Sequence, residues 1–79
     1  LIPIFVVLDS SNYSLELYFE AIGEVEITIS LNGDVIYSSF ENIQTSVQKD
    51  VQLSVGISGN FLVEIEGENG AYMCGEFEL

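Results

Sequence analysis

The side chains that most often carry catalysis are scarce in this sequence. It has no histidine, a single cysteine (Cys74) and nine serines, none of them in a Gly-x-Ser-x-Gly motif. Serine and cysteine nucleophiles need a base beside them, and histidine is the usual proton carrier near neutral pH. Paired carboxylates hydrolyse glycosides, but only in a cleft that 79 residues scarcely provide. We therefore predict a non-enzyme without catalytic residues or a cofactor, and an outward-facing Cys74 of low reactivity.

Charge excludes two further classes of function. Thirteen acidic residues stand against one basic residue, Lys49, so the formal net charge is −12. Nucleic-acid binding depends on lysine and arginine to neutralise phosphates, and binding to an anionic membrane surface requires basic side chains as well. We predict no partner of either kind. A strongly acidic surface is most often simply solvated, and this alternative stays open.

Six glutamates form the candidate binding surface. They occupy alternate positions in segments that we expect to be neighbouring strands, where like charges opposite each other destabilise the sheet. Salt, partial protonation, a cation or a basic protein offsets such repulsion. No Asp-x-Asp-x-Asp-Gly loop is present, so we predict no metal site. Tyrosines expected on outer faces extend the surface toward a protein or glycan partner, with Tyr37 as a further candidate. The candidate residues are Glu24, Glu26, Glu64, Glu66, Glu76, Glu78, Tyr18 and Tyr72.

Alternation of apolar and polar residues predicts the strands that position these side chains. It runs through residues 14–20, 24–31 and 61–66, and period two is typical of strands with one buried face. Asn32-Gly33 and Asn69-Gly70 predict tight hairpin turns. Further strands are expected at residues 1–8, an edge strand because of Pro3, and at 35–40, 51–55 and 71–79. Residues 41–50 are read as a long connection between two sheets, with a short edge strand at 45–48.

About seven short strands at regular spacing predict an all-β fold, an immunoglobulin-like antiparallel β-sandwich formed by one domain over residues 1–79. The longest apolar run, residues 1–8, is far shorter than the ~20 residues of a membrane-spanning helix. The first residue is Leu1 rather than Met, so we interpret the sequence as a trimmed or processed chain.

Several segments resemble an uncharacterised family of small exported proteins of Bacteroides-type gut bacteria with an immunoglobulin-like fold. The resemblance covers nearly the whole chain, and it implies export after removal of a signal peptide. It implies no activity and no site residues. The matching segments are residues 2–4 (IPI), 15–19 (LELYF), 23–29 (GEVEITI), 59–65 (GNFLVEI) and 75–79 (GEFEL).

The C-terminal segment is also similar to the sorting domains of type nine secretion cargo. Those domains usually end with basic residues, whereas this chain ends with Glu76, Phe77, Glu78 and Leu79. Three functional hypotheses follow. The first is an exported binding or adhesion module that presents its acidic sheet face or an edge strand to a protein or glycan. The second is a structural or self-associating spacer, and the third is a sorting domain.

Overall fold

The computed structural model describes residues 4–79, apart from the side chain of Asn69. The predicted edge position of Pro3 lies outside the described residues. Seven strands and one 3-10 helix make up the fold. In chain order they are β1 (Ile4–Asp9), β2 (Ser14–Phe19), β3 (Gly23–Leu31), β4 (Asp34–Ile43), β5 (Val47–Gln52), β6 (Asn60–Gly67), η1 (Glu68–Gly70) and β7 (Tyr72–Glu78).

The strands form two sheets, and all paired strands are antiparallel. The smaller sheet has the order β1-β2-β5, and the larger one has the order β4-β3-β6-β7. Segments 24–31, 61–66 and 71–79 therefore lie side by side in one sheet, as the sequence predicts. The predicted all-β sandwich of seven strands is confirmed.

The core lies between the sheets and consists of the apolar residues of each alternating segment. Leu15, Leu17 and Phe19 point inward from β2, against the apolar residues of β3 and β6. Burying a large apolar side chain contributes about 1.5–3 kcal/mol, so this layer is the main source of stability in a chain that lacks a disulfide. The facing residues are Val25, Ile27, Ile29, Phe61, Val63 and Ile65.

The two predicted Asn-Gly turns differ in the structure. Asn32 and Gly33 have φ values of 49° and 91° and join β3 to β4 as a two-residue hairpin. Asn69 and Gly70 instead belong to the 3-10 helix, so the predicted tight turn between β6 and β7 is wrong there. The longer connection brings Glu68 back toward the start of β3, where its carboxylate accepts a hydrogen bond from the Glu24 amide.

Residues 41–50 are mostly strand, so the predicted connection is too long, but the chain does cross between the sheets here as predicted, and the predicted edge strand at 45–48 overlaps the start of β5. β4 continues through Ile43 and β5 begins at Val47, which leaves three residues to cross between the sheets. The predicted strand at 51–55 likewise begins and ends earlier. This stretch shows no apolar alternation because Glu41 and Lys49 occupy inward-facing positions at the sheet edges, where they pair with each other.

Candidate functional site

Seven of the eight candidate residues lie on the outer face of the four-stranded sheet, which we call the acidic face. Its side chains alternate with the buried residues of β3 and β6 and the partly buried residues of β7, and this places the glutamates outward. The structure brings together Glu24, Glu26, Glu64, Glu66, Glu76, Glu78 and Tyr72 on this one surface.

One row of four side chains crosses the centre of the acidic face. Glu26 on β3 lies directly opposite Glu66 on β6. Phe40 on β4 is the cross-strand partner of Glu26 on its other side, and Tyr72 on β7 is the partner of Glu66. Phe40 is 78% exposed and Tyr72 is 54% exposed. Two carboxylates therefore lie between two solvent-accessible aromatic side chains, and we call this set the central row.

An open groove of about 460 Å³ adjoins the central row at the Phe40 side. Its polar walls come from both glutamates of the row and from residues two positions away in the sequence, on β3, β4 and η1. Asn42 is the cross-strand partner of Glu24, and Glu68 Oε1 lies 3.0 Å from the Glu24 amide nitrogen. The polar lining thus consists of Glu24, Glu26, Asn42, Glu66 and Glu68.

No basic side chain of the protein neutralises this surface. Lys49 is the single lysine or arginine in the chain, and its Nζ lies 3.0 Å from Glu41 Oε1 at the other side of β4. The phenol of Tyr72 offers a donor and no positive charge: it donates to Glu64 Oε2 over 3.1 Å. Partial loss of water around this hydroxyl, with the neighbouring Cys74 thiol and the hydrogen-bonded Glu64 carboxylate, raises the pKa of Tyr72 to about 12.

The acidic face attracts positive charge, and it presents exposed aromatic side chains beside the carboxylates. In the described part of the chain, no three acidic, histidine or cysteine side chains converge on a common point as a metal ion requires. Cys74 is exposed and unpaired by a disulfide, on the same face as predicted. Within residues 4–79, no helix combines the length and apolar character needed to cross a membrane.

Tyr18 is the candidate that the structure separates from the others. It lies on the outer face of the three-stranded sheet, where its ring stacks on Phe5 with centroids 4.5 Å apart. Its hydroxyl donates to Glu16 Oε1 over 2.8 Å, and this bond raises the pKa of Tyr18. Glu16 lies directly opposite Asp50, a second like-charged pair that the sequence analysis does not identify.

The site contains three residues that were not predicted, Phe40, Asn42 and Glu68. The further candidate Tyr37 does not belong to it. A β-bulge between Ile29 and Ser30 shifts the register of β4 by one residue. Tyr37 then pairs with Ile29 and packs against the core, while Phe40 turns outward beside Glu26. Without the bulge the register would face Tyr37 outward, so the prediction of an exposed Tyr37 is wrong for this reason.

Comparison with known proteins identifies the fold. No family model and no curated protein matches the chain. Among solved structures, a DUF3244 family protein with an immunoglobulin-like β-sandwich fold from Bacteroides vulgatus superposes with a TM-score of 0.82. The fold is an immunoglobulin-like β-sandwich. The two sequences are 22% identical, and the alignment covers 98% of this chain and 83% of the other. The likeness supports the predicted fold and extends no further, since the fold hosts many functions.

Proposed function

We propose that this protein is a non-catalytic binding module whose acidic face receives a basic segment of a protein partner. The central row carries the proposal: Glu26 and Glu66 lie opposite each other, with exposed Phe40 and Tyr72 at the two ends. Large aromatic side chains are enriched at the centre of protein interfaces, and here they flank the charged pair.

The energetics of the central row favour a cation as its occupant. Like charges directly opposite on a sheet destabilise it by about 0.2–1 kcal/mol, and a bound lysine or arginine removes that repulsion. The same cation lying over an exposed aromatic ring gains about 0.5–1 kcal/mol. An arginine also bonds a carboxylate through two parallel hydrogen bonds, which adds a geometric requirement. Binding and relief of repulsion therefore act in the same direction.

Charge also favours a protein over a glycan partner. A neutral glycan leaves the repulsion between Glu26 and Glu66 in place, and an acidic glycan adds to it. A protein segment with several lysines or arginines matches both the glutamates and the aromatic side chains. Steering by a net charge of −12 would accelerate its encounter with the acidic face, and the rate would fall with added salt.

The proposed partner meets this module outside the cytoplasm. The segments that resemble an exported Bacteroides-type family support this location, and the Bacteroides origin of the structural neighbour is compatible with it. Protease treatment of source cells whose outer layers are opened and whose cytoplasmic membrane is intact tests it, because a protein outside that membrane is then degraded. A protein protected under those conditions would contradict export.

A pair of matched charge-neutral variants tests the binding face. The face variant carries Glu26→Gln and Glu66→Gln, and the control carries Glu16→Gln and Asp50→Asn on the other sheet. Each removes two negative charges from one directly opposed pair. A lysine-rich peptide titrated calorimetrically should bind the face variant about tenfold more weakly, with the control close to the unmodified protein.

Equal weakening in both variants would show attraction to net charge and would refute a defined binding face. A further variant, Phe40→Ser, addresses the aromatic contribution without changing charge. It should weaken binding of an arginine-rich peptide, since guanidinium groups stack on aromatic rings. Unchanged affinity in this variant would remove Phe40 from the site.

A further inference from the structure

The edge of β4 is the longest unpaired strand edge in the described structure. β4 is the terminal strand of the larger sheet and has 10 residues, whereas the other edge strands have six or seven. In an antiparallel sheet, every second residue of an edge strand directs its N–H and C=O groups away from the sheet. Within residues 4–79, no hydrogen bond from another element reaches these outward groups of β4.

The side chains of β4 do little to protect this edge. Val35 is 61% exposed, and Ile36 and Phe40 are exposed as well. Natural edge strands are usually blocked by lysine, proline, a β-bulge or an inward charge. β4 contains neither lysine nor proline, and its inward charge, Glu41, is paired with Lys49. Its bulge lies near the start of the strand and leaves residues 37–43 in regular pairing. A strand with free backbone groups and exposed apolar side chains is an acceptor for another strand.

The other edges are less suited to accept a strand. β5 has only six residues. β7 has seven residues and carries Gly75 at its centre, where glycine weakens a strand. β1 is also short, with six residues. Length and side-chain character together single out β4.

We propose that β4 accepts an extended basic segment of the partner as an added strand. This inference rests on the proposed function for the charge of the partner and adds how the partner is held. Outward side chains of an added strand would lie beside Ser38, Phe40 and Asn42. Two strand spacings, about 10 Å, separate the backbone of such a strand from β3, where Glu24 and Glu26 point outward. A lysine or arginine side chain reaches across Phe40 to these carboxylates.

Charge complementarity selects this occupant over a second copy of the chain. Two copies would bring together two net charges of −12. Pairing of their β4 strands would also place the acidic face of one copy next to the acidic face of the other. A segment with lysine or arginine at alternate positions satisfies the backbone groups of β4 and the glutamates at the same time. Its remaining alternate side chains face Tyr37, Ser39 and Glu41.

A peptide with modified backbone separates strand addition from simple charge attraction. The probe is an extended peptide of about nine residues in which lysine and threonine alternate, which matches the usual length of a strand. The comparison peptide has the same side chains, but its central backbone nitrogens are methylated. It keeps every charge and loses the donors needed for pairing. Calorimetry gives the affinities, and amide hydrogen exchange locates the contact.

Strand addition predicts that methylation weakens binding at least about tenfold, since it removes several hydrogen bonds at once. It also predicts that the unmethylated peptide slows amide exchange in β4 and leaves β7 unchanged. Equal binding of both peptides, still sensitive to Glu26→Gln with Glu66→Gln, would overturn strand addition and leave the proposed function standing. Absence of binding by either peptide would overturn both. A dimer of the free protein in sedimentation, with slowed amide exchange in β4 at the same concentration, would replace the basic segment with a second copy.

Discussion

Lys49 and Glu41 join the two sheets at the open side of the sandwich. Lys49 Nζ lies 3.0 Å from Glu41 Oε1, and the two side chains are 37% and 28% exposed. Lys49 is on β5 of the smaller sheet and Glu41 is on β4 of the larger one. The Ser39 hydroxyl donates to the other carboxylate oxygen of Glu41. The pair therefore links the β4 and β5 edges of the two sheets.

The first prediction concerns the pH dependence of this pair. The hydrogen bond from Ser39, followed by the interaction with Lys49, lowers the pKa of Glu41 from 4.5. Because the folded state holds the ionised form, its stabilisation is present above the unfolded pKa and is lost as the pH falls through the folded pKa. Glu41→Gln should therefore lower the free energy of unfolding at neutral pH by less than about 1 kcal/mol, the range of partly exposed ion pairs.

Urea unfolding at several pH values measures this effect. The difference between the unmodified protein and Glu41→Gln should shrink as the pH falls below about 4.5, the ordinary pKa of glutamate. Lys49→Met, alone and combined with Glu41→Gln, completes a double-mutant cycle that isolates the interaction energy of the pair. A difference that stays constant down to the acid limit would show that Glu41 ionisation contributes nothing to folding.

The second prediction is that the glutamates of the acidic face lower the stability of the fold and are required for binding of basic peptides. Glu66→Lys creates a cross-strand pair with Glu26, so the free energy of unfolding at low salt should rise by about 0.5 kcal/mol. The same change should abolish binding of lysine-rich peptides. Glu16→Lys is the matched control, because it pairs with Asp50 on the other sheet. It should stabilise the fold similarly and leave peptide binding nearly unchanged. Loss of binding in the control would contradict a localised site.

The third prediction compares two glycines with positive φ. Gly33 has φ 91° and nothing within 4 Å of an added Cβ, so Gly33→Ala should lower stability by about 1 kcal/mol through backbone strain alone. Gly59 has φ 137°, and an added Cβ would lie 2.7 Å from Leu31 Cδ1. Gly59→Ala should therefore be clearly more destabilising, because a partly buried side chain must also move. Thermal unfolding of both variants ranks them, and the reverse order would contradict the packing around Gly59.

The fourth prediction concerns calcium. Glu26 and Glu66 face each other without a third converging ligand among the described residues. Calcium requires six to eight oxygen ligands, so millimolar calcium should not raise the unfolding temperature above that in sodium chloride of equal ionic strength. Glu26→Gln with Glu66→Gln serves as the control for general screening. A calcium-specific rise that this variant loses would identify a cation site and weaken the case for a basic protein partner.

The sequence predicted the strands of the core well because burial leaves a local mark. The apolar positions of β2, β3 and β6 alternate with polar ones, and all of these inward residues except the partly buried Leu31 are buried where the alternation places them. The glutamates of the acidic face follow from the same rule, since they occupy the complementary positions. The Asn32-Gly33 hairpin was equally readable, because positive φ at two successive positions restricts the residue types.

The facing ends of the edge strands β4 and β5 were predicted poorly because the residue types there do not show which face is buried, whereas β1 and β7 were predicted closely. The 41–50 segment has inward positions filled by Glu41 and Lys49, which make sense only as partners across two sheets. Residues far apart in the sequence form that contact, so no local sequence pattern predicts it. Glu68 is a similar case, since its role depends on the approach of η1 to the start of β3.

By itself, the sequence determined the fold class, the core positions of the alternating strands and the acidic character of one sheet face. Only the tertiary structure decided which aromatic side chains accompany those glutamates. The bulge between Ile29 and Ser30 shifts β4 by one residue, so Tyr37 turns into the core and Phe40 turns outward beside Glu26. The physical reason is the two-residue period of a strand, in which a shift of one residue exchanges the two faces. A single extra residue in the pairing thus places Phe40 in the proposed site and Glu41 within reach of Lys49.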